Sequence, residues 1–364
     1  MKILGIETSC DETSAAVVDS ELRVHSNIIQ SQIDLHERYG GIVPELASRR
    51  HIVAIIPTIE LALEEAKTSL DEIGAIAVTE GPGLAGSLLV GVNVAKSLAW
   101  SRDLPLIPVN HLEGHIYANW LRPEDDTEWA PPTFPVVCLI VSGGHTELLL
   151  MREHGTYELL GQTIDDAAGE AFDKGARILG LGFPGGPAIQ KAAASGRTGQ
   201  HPLPRAWLGE SYDFSFSGLK TALLRVAEQY RRPRGSRTRS NDDDPFQTHE
   251  PVRYGPNVPL ADIAADYQDA IVEVLVNKTA RAARDYRAAT VLLAGGVAAN
   301  ALLRKRLQAA ISVPLRYPPV ILCTDNAAMI AGAAHFNTRR DDRAAMELDI
   351  HPRLPLTTKT AIKS

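Results

Sequence analysis

The chain has 364 residues, 45% of them apolar and 22% charged, which excludes a disordered or fibrous protein and suits two lobes with a cleft or one large α/β unit. The net charge of −7 argues against broad electrostatic capture of nucleic acid, and no apolar run approaches the roughly 20 residues that span a bilayer. The three cysteines are scattered and odd in number, which fits a reducing compartment. Glu7 interrupts the apolar core that a signal peptide would need, so we predict a cytoplasmic protein with no membrane association.

The first third of the chain opens with a predicted hairpin. Residues 2–7 and 14–19 form apolar strands, and the polar turn between them places Asp11 and Glu12 at its tip. The two carboxylates could be a catalytic pair, or they could be solvated residues of an ordinary turn. The sequence of the turn does not distinguish these alternatives. The further predicted elements are a helix over 44–67 with a kink or break at Pro57, a strand over 75–79, a helix over 86–100 and a strand over 106–109.

The second part of the chain repeats this plan. Strands over 136–141 and 146–151 flank the turn Ser142-Gly143-Gly144-His145, so apolar strand, hydroxyl-rich turn and apolar strand occur twice, which indicates a duplicated fold. The predicted boundaries are a first lobe over 1–131, a second lobe over 132–345 and a tail over 346–364. The further predicted elements are helices over 167–181, 186–194, 218–230, 261–286, 300–311 and 325–336, with a strand over 290–293.

Residues 231–259 carry no periodic pattern and are interpreted as an insertion. The arginines around this stretch are followed at once by the aspartates 242–244. Such blocks of charge usually form solvated loops, so this interpretation is favoured over an RNA contact.

The strongest local signal for chemistry is the run Asn110-His111-Leu112-Glu113-Gly114-His115, directly after a predicted strand. Histidines at i and i+4 project from one helix face, close enough to share a metal. A carboxylate is the expected third ligand of a divalent ion, and Asp325 is the best candidate, although it could also simply cap the last helix. Leu112 stands where the zinc peptidase motif H-E-x-x-H has glutamate, so peptidase chemistry is unsupported.

Two glycine-rich turns follow predicted strands, at 140–144 and 293–297. Glycines let backbone N–H groups approach a phosphate closely, and two such turns in a duplicated α/β chain favour nucleotide binding over ordinary turns. Neither turn matches the Rossmann fingerprint or the P-loop, so both of those folds are disfavoured.

Together these residues resemble the TsaD family of tRNA N6-adenosine threonylcarbamoyltransferases, formerly labelled O-sialoglycoprotein endopeptidases. The resemblance covers residues 1–345 outside the insertion, and many separate motifs occur in the family's order. They are Gly5-Ile6-Glu7-Thr8-Ser9-Cys10-Asp11-Glu12-Thr13, Glu80-Gly81-Pro82-Gly83, residues 108–115, 141–146 and 165–174, Phe214-Ser215-Phe216-Ser217-Gly218-Leu219-Lys220, residues 295–300 and Cys323-Thr324-Asp325-Asn326.

The resemblance implies an actin-like α/β fold of two duplicated lobes, as in sugar kinases and heat-shock ATPases. It implies transfer of the threonylcarbamoyl group from L-threonylcarbamoyladenylate to N6 of adenosine-37, on the 3′ side of the anticodon, in tRNAs that read codons beginning with A, with release of AMP. An actin-like ATPase or small-molecule kinase is the alternative, because it would share the lobes and glycine turns but has no need for the histidine pair.

The same resemblance implies roles for individual residues. A divalent metal, usually iron and alternatively zinc or magnesium, is held by His111, His115 and Asp325. The transfer also needs a group that accepts the amine proton, and our hypothesis is that Asp11 or Glu12 is this catalytic base. Substrate-binding positions are Ile140, Val141, Ser142, Gly143, Gly144, Asp173, Gly186 and Asn300. Two positions, Gln190 and Arg102, depart from the family pattern. The implied partners are tRNA, a TsaB-like paralogue and a TsaE-like ATPase.

Overall fold

A computed structural model describes residues 1–122, 129–231, 252–337 and 347–356. The predicted insertion over 231–259, with its arginines beyond Arg231 and its aspartates, lies largely outside these described residues. No helix in the described ranges has the length and apolar character needed to cross a bilayer.

A five-stranded sheet forms the centre of the first lobe, in the order β3-β2-β1-β4-β5. The predicted hairpin is present, with Lys2 paired to Asp19 and Glu7 paired to Ser14 in antiparallel register, whereas β1, β4 and β5 run parallel. The carboxyl ends of β1, β4 and β5 therefore lie at one edge of the sheet, where α/β folds place their ligands. The strands are β1 (Lys2–Glu7), β2 (Glu12–Asp19), β3 (Val24–Ser31), β4 (Ile73–Gly81) and β5 (Leu106–Asn110), and the helices are α1 (Ile33–Glu37), α2 (Pro44–Glu65), α3 (Ala85–Arg102) and α4 (His111–Tyr117).

Helix α2 continues through Pro57, so a break at this residue is wrong, while the alternative of a kink stays a prediction. Ile55 and Ile59, on either side of the proline, are buried against the outer face of the sheet together with Ala62. Each buried isoleucine contributes about 1.5–3 kcal/mol, which offsets the roughly 3 kcal/mol that an interior proline costs.

The second sheet repeats the first, in the order β8-β7-β6-β9-β10. Again the first two pairings are antiparallel and the last two parallel, which confirms the duplicated, actin-like α/β fold. Five helices from α5 to α9 enclose a large core on its outer face. The strands are β6 (Val136–Val141), β7 (Thr146–Glu153), β8 (Thr156–Gln162), β9 (Thr290–Ala294) and β10 (Leu315–Arg316), and the helices are α5 (Ala168–Leu179), α6 (Gly185–Ala193), α7 (Ser217–Glu228), α8 (Leu260–Asp285), α9 (Ala301–Ala310), α10 (Val320–Cys323) and α11 (Ala327–Phe336).

Helices α4 and α11 form a middle layer between the inner faces of the two sheets. Apolar residues of both sheets and both helices belong to one buried core. Although α11 follows the second sheet in the sequence, it packs against β1, β2 and α4. The prediction placed Asp325 in the second lobe, and the structure places the helix that it precedes against the first sheet.

Residues 347–356, here called the C-terminal strap, also return to the first lobe. Leu348 and Ile350 pack on its outer core beside α2 and α3, and Leu356 packs on the middle layer. Residues 347–356 therefore contribute to the first lobe although they follow the second sheet in the sequence.

Candidate active site

Helix α4 presents His111 and His115 at one end of the middle layer. Its N-terminus is capped by Asn110, whose Oδ1 accepts a hydrogen bond from the Leu112 N–H at 2.8 Å. The two imidazole centroids lie 4.6 Å apart and both side chains are buried. Gly114, between them, gives α11 room, because a Cβ at this position would lie 2.8 Å from Ile330 Cδ1. The spacing of the motif therefore places both rings on the face turned toward α11.

Asp325 faces both histidines. Its Oδ1 lies 3.2 Å from His115 Nε2 and 3.6 Å from His111 Nε2, and one candidate ligand atom from each of the three residues lies within 4.8 Å of the others. The cap of α11 is Asn326, whose side chain accepts a hydrogen bond from the Met329 N–H at 3.0 Å. Helix capping therefore does not account for Asp325.

The donor set suits a divalent ion. Two imidazole nitrogens and one carboxylate oxygen are typical ligands of iron or zinc sites that leave positions open for substrate. Both ring nitrogens of His115 are buried without a hydrogen-bond partner among the described residues, although Nε2 faces Asp325. A buried polar atom without a partner requires an explanation, and a shared ion would supply one for Nε2.

Glu7 is a further residue of this centre, at the end of β1, which the sequence analysis did not identify. Its Oε2 lies 3.0 Å from His111 Nδ1 and accepts a hydrogen bond from the Thr79 hydroxyl at 2.7 Å. Ser9 adds a backbone N–H donor to Glu7, and its Oγ lies 3.1 Å from the same His111 nitrogen. A carboxylate on the far nitrogen of a histidine ligand fixes its ring and tautomer and leaves Nε2 for the metal.

The carboxylates of this centre act differently on the two histidines. Burial alone lowers the pKa of His111, but the carboxylates of Asp325 and Glu7 raise it to about 9. Burial likewise raises the pKa of Asp325, but the imidazoles, His111 first, lower it to about 2. For His115, burial lowers the pKa and Asp325 offsets this only in part. The two carboxylates therefore favour the protonated form of His111, whereas burial favours the neutral form of His115.

The hairpin tip holds Asp11 and Glu12 in a braced and buried turn. His51 of α2 contacts both sides of it, with Nδ1 2.8 Å from Thr13 Oγ1 and Nε2 3.0 Å from the Cys10 carbonyl oxygen. Asp11 is only 7% exposed, so the solvated-turn alternative does not describe it. Burial, followed by the charges of Asp11 and Asp325, raises the pKa of Glu12 well above its usual value. A carboxyl group with a raised pKa is a stronger proton acceptor when ionised.

The glycine-rich turns of the second lobe lie against each other. Gly295 has φ +88°, and a Cβ there would lie 2.5 Å from the Val141 carbonyl oxygen, at the end of strand 136–141 to which Ile140 belongs. By contrast, a Cβ at Gly143 or Gly144 would meet nothing within 4 Å, so these residues border open space. The Ser142 N–H donates to the His145 carbonyl at 2.9 Å and closes the turn.

Three further predicted substrate positions lie on the helices of the second lobe. Asp173 accepts a hydrogen bond from the Gly185 N–H at 2.7 Å, and burial raises its pKa to about 6. Gly186, which follows Gly185 in α6, borders open space. The amide of Asn300 caps α9 through the Leu303 N–H and donates to Gln268, so both of its polar ends already have partners. Gln190 accepts a hydrogen bond from the Ala301 N–H at 2.8 Å and links α6 to α9.

Comparison with known proteins gives one consistent result. The model of the family TsaD, tRNA N6-adenosine threonylcarbamoyltransferase, matches residues 23–332. Proteins with that name from Thermomicrobium roseum and Bacillus subtilis are 67% and 48% identical, over 100% and 98% of this chain and 99% and 96% of theirs. Component A of the (R)-2-hydroxyglutaryl-CoA dehydratase of Acidaminococcus fermentans is 14% identical, with a TM-score of 0.51 over 95% of this chain and 99% of its own, which is a likeness of fold alone.

Proposed function

Because the chain belongs to the TsaD family, we propose that it transfers the threonylcarbamoyl group of L-threonylcarbamoyladenylate to N6 of adenosine-37 in tRNA and releases AMP. The observation that carries this assignment in the structure is the convergence of His111, His115 and Asp325 beside the hairpin tip, where Asp11 is buried and Glu12 is partly buried. An actin-like ATPase or small-molecule kinase is not favoured, because phosphoryl transfer needs no histidine pair at this edge of the sheet.

The proposed chemistry is attack of a weakly nucleophilic amine on an activated carbamoyl carbon. His111, His115 and Asp325 would hold a divalent metal, with Fe²⁺ the first candidate, and such an ion supplies Lewis-acid polarisation of donor oxygens. The open backbone at Gly143 and Gly144 would place N–H groups near the adenylate phosphate, where they stabilise charge on the departing AMP. Glu12, with its raised pKa, would accept the proton that N6 loses.

The test is transfer in vitro from purified L-threonylcarbamoyladenylate to an unmodified tRNA transcript, with the nucleosides analysed by mass spectrometry. We expect product with the wild-type chain supplied with its partner proteins, and none with a transcript that carries guanosine at the acceptor position. His111→Ala should lower single-turnover transfer by at least about a hundredfold, as removal of one main electrostatic contribution does. His25→Ala, an exposed histidine on β3, is the matched control.

The results separate the parts of the proposal. Full metal content and transfer by His111→Ala would exclude the metal centre. Unchanged single-turnover transfer by Glu12→Gln would exclude Glu12 as the proton acceptor. ATP hydrolysis or phosphoryl transfer without any tRNA product would favour the kinase alternative.

We further propose that the chain works in the cytoplasm with a TsaB-like paralogue and a TsaE-like ATPase. The net charge of −7 supports help from partners in tRNA binding. An apolar face on α2 and α3 supports a protein partner, because large exposed apolar patches mark interaction sites. Its residues are Ile52, Val53, Ile56, Leu89 and Trp100, which are 44–74% exposed.

A further inference from the structure

The C-terminal strap forms backbone hydrogen bonds to the end of β4 and to the loop that follows it. The His351 N–H donates to the Glu80 carbonyl at 2.8 Å, and the Pro352 carbonyl accepts from the Gly83 N–H at 3.2 Å. Gly81 makes this approach possible, because a Cβ there would lie 2.0 Å from the His351 carbonyl oxygen. The loop and the strap are therefore fitted to each other at the backbone level.

The same loop contacts Ser9, which lies beside the metal-ligand candidate His111. The Leu84 N–H donates to the Ser9 carbonyl at 2.7 Å, and Gly83 lies so close to Ser9 that a Cβ would be 2.6 Å from its carbonyl oxygen. Ser9 Oγ in turn lies 3.1 Å from His111 Nδ1. The strap thus supports the residue that contacts the outer nitrogen of His111.

A second connection reaches the helix itself. Asn110 Nδ2 donates to the Pro355 carbonyl at 3.2 Å, while its Oδ1 caps α4 through the Leu112 N–H at 2.8 Å. One amide group therefore joins the strap to the first turn of the helix that carries both histidines. The first connection reaches the imidazole ring of His111 through Ser9, and the second reaches its backbone through Asn110.

From these contacts we propose that the C-terminal strap is a positioning element of the metal centre, which holds His111 in the orientation that binds the ion. This inference rests on the metal site of the proposed function. Leu348 and Ile350 pack the strap on the outer core. Its backbone groups form hydrogen bonds to the end of β4, to the loop after it and to Asn110. Groups that support first ligands typically change metal affinity by about 10–100-fold when removed.

Two full-length variants test this inference. Ile350→Asp places a charge where the strap docks and should release it, whereas Asn110→Ser keeps an N-cap hydroxyl and removes only the amide donor to Pro355. We expect zinc affinity, measured by competition with a chromophoric chelator, to fall at least about tenfold in Ile350→Asp and less in Asn110→Ser. Leu159→Asp, at a partly exposed leucine of β8, is the matched control and should bind zinc as the wild type does.

Hydrogen exchange provides the second measurement and needs no metal. Amides of α4 in the ion-free chain should exchange faster in both variants, with near-ultraviolet circular dichroism unchanged in Asn110→Ser. Wild-type zinc affinity together with wild-type α4 exchange in Ile350→Asp would overturn the strap's role and leave the proposed function intact. A wild-type chain that binds no metal would instead overturn the metal centre, and α4 exchange would still test the strap.

Discussion

Glu7 gives the two histidines of the centre different roles. It is fully buried, lies 3.0 Å from His111 Nδ1 and keeps an ionised carboxylate next to that ring, because the charge and hydrogen bond of His111 lower its pKa against the effect of burial. For His115, the described residues provide no such hydrogen-bond partner. In the proposed metal site, Glu7 would therefore make His111 the oriented and electron-rich ligand.

Replacing Glu7 by glutamine tests this dependence. Glu7→Gln preserves the shape of the side chain and removes the negative charge beside His111, so metal affinity should fall by about 10–100-fold. Chelator competition measures the change. Glu147→Gln, a partly buried glutamate on β7, is the control, and equal affinities of both variants and the wild type would contradict the role of Glu7.

The raised pKa of His111 predicts that metal uptake depends on pH. With a pKa of about 9 in the ion-free centre, His111 carries a proton at neutral pH that the metal must displace, whereas the pKa of His115 is lowered. Affinity should therefore rise about tenfold per pH unit below pH 9 and level off above it. Titration calorimetry in buffers of different ionisation enthalpy should detect close to one proton released at pH 7, and none released would contradict the charge assignment.

Asp173 should destabilise the unliganded fold at neutral pH. Burial raises its pKa from 3.8 to about 6, so the folded chain binds this proton more tightly than the unfolded chain does. Its contribution to the free energy of unfolding falls as pH rises from about 4 to about 6, by on the order of 2–3 kcal/mol. Asp173→Asn should raise the melting temperature at pH 8 and leave it unchanged at pH 3.5. A variant that melts below the wild type at pH 8 would contradict this prediction.

The elements show which parts of the site the sequence could predict. The hairpin, the histidine pair on α4 and the start of α11 follow from local periodicity and spacing, and the duplication follows from two similar hairpins. Glu7 was missed because its partner lies 104 positions away, and only the convergence of strand ends β1 and β5 at one sheet edge could have indicated it. Strands β3 and β8 were missed because both are partly exposed edge strands without clean alternation.

The position of α11 depends on close packing against β1. A Cβ on Gly5 would lie 2.3 Å from the Ala327 carbonyl oxygen, a backbone atom that cannot move without the helix. Gly5→Ala should therefore displace the start of α11, lower stability by about 1–3 kcal/mol and weaken metal binding through Asp325. Thermal melting and chelator competition measure these effects.

Gly74→Ala is the matched control in the same sheet. A Cβ at Gly74 would lie 2.4 Å from Cγ of the flexible Met1 side chain, whereas the backbone oxygen of Lys2 is at an ordinary contact distance of 3.6 Å. If both alanine variants bind metal alike, the contact between β1 and α11 does not position Asp325.

At the scale of the whole molecule, the described residues leave part of the outer surface of α2 and α3 exposed. The inner face of each sheet is used by the middle layer, and α5–α9 cover the second sheet, but α2 and α3 retain the apolar face that includes Ile56 and Trp100. A charge there should disrupt a protein complex without changing the metal centre.

Ile56→Asp is therefore expected to prevent co-elution with a TsaB-like partner in size-exclusion chromatography while zinc affinity stays at the wild-type value. Leu159→Asp, on the edge of the second sheet, should elute with the partner as the wild type does. Retained co-elution of Ile56→Asp would place the partner on another surface.

Because Asp325 and α11 come late in the sequence, the three ligand candidates can converge only late in translation. Glu7 and the α4 histidines leave the ribosome early, but the aspartate that completes the set precedes α11, and the supporting strap comes later still. A nascent chain therefore exposes an unfinished inner face of its first sheet until α11 has been synthesised. Premature termination anywhere before Asp325 would yield a product that cannot assemble the set of three ligands, however well its early segments fold.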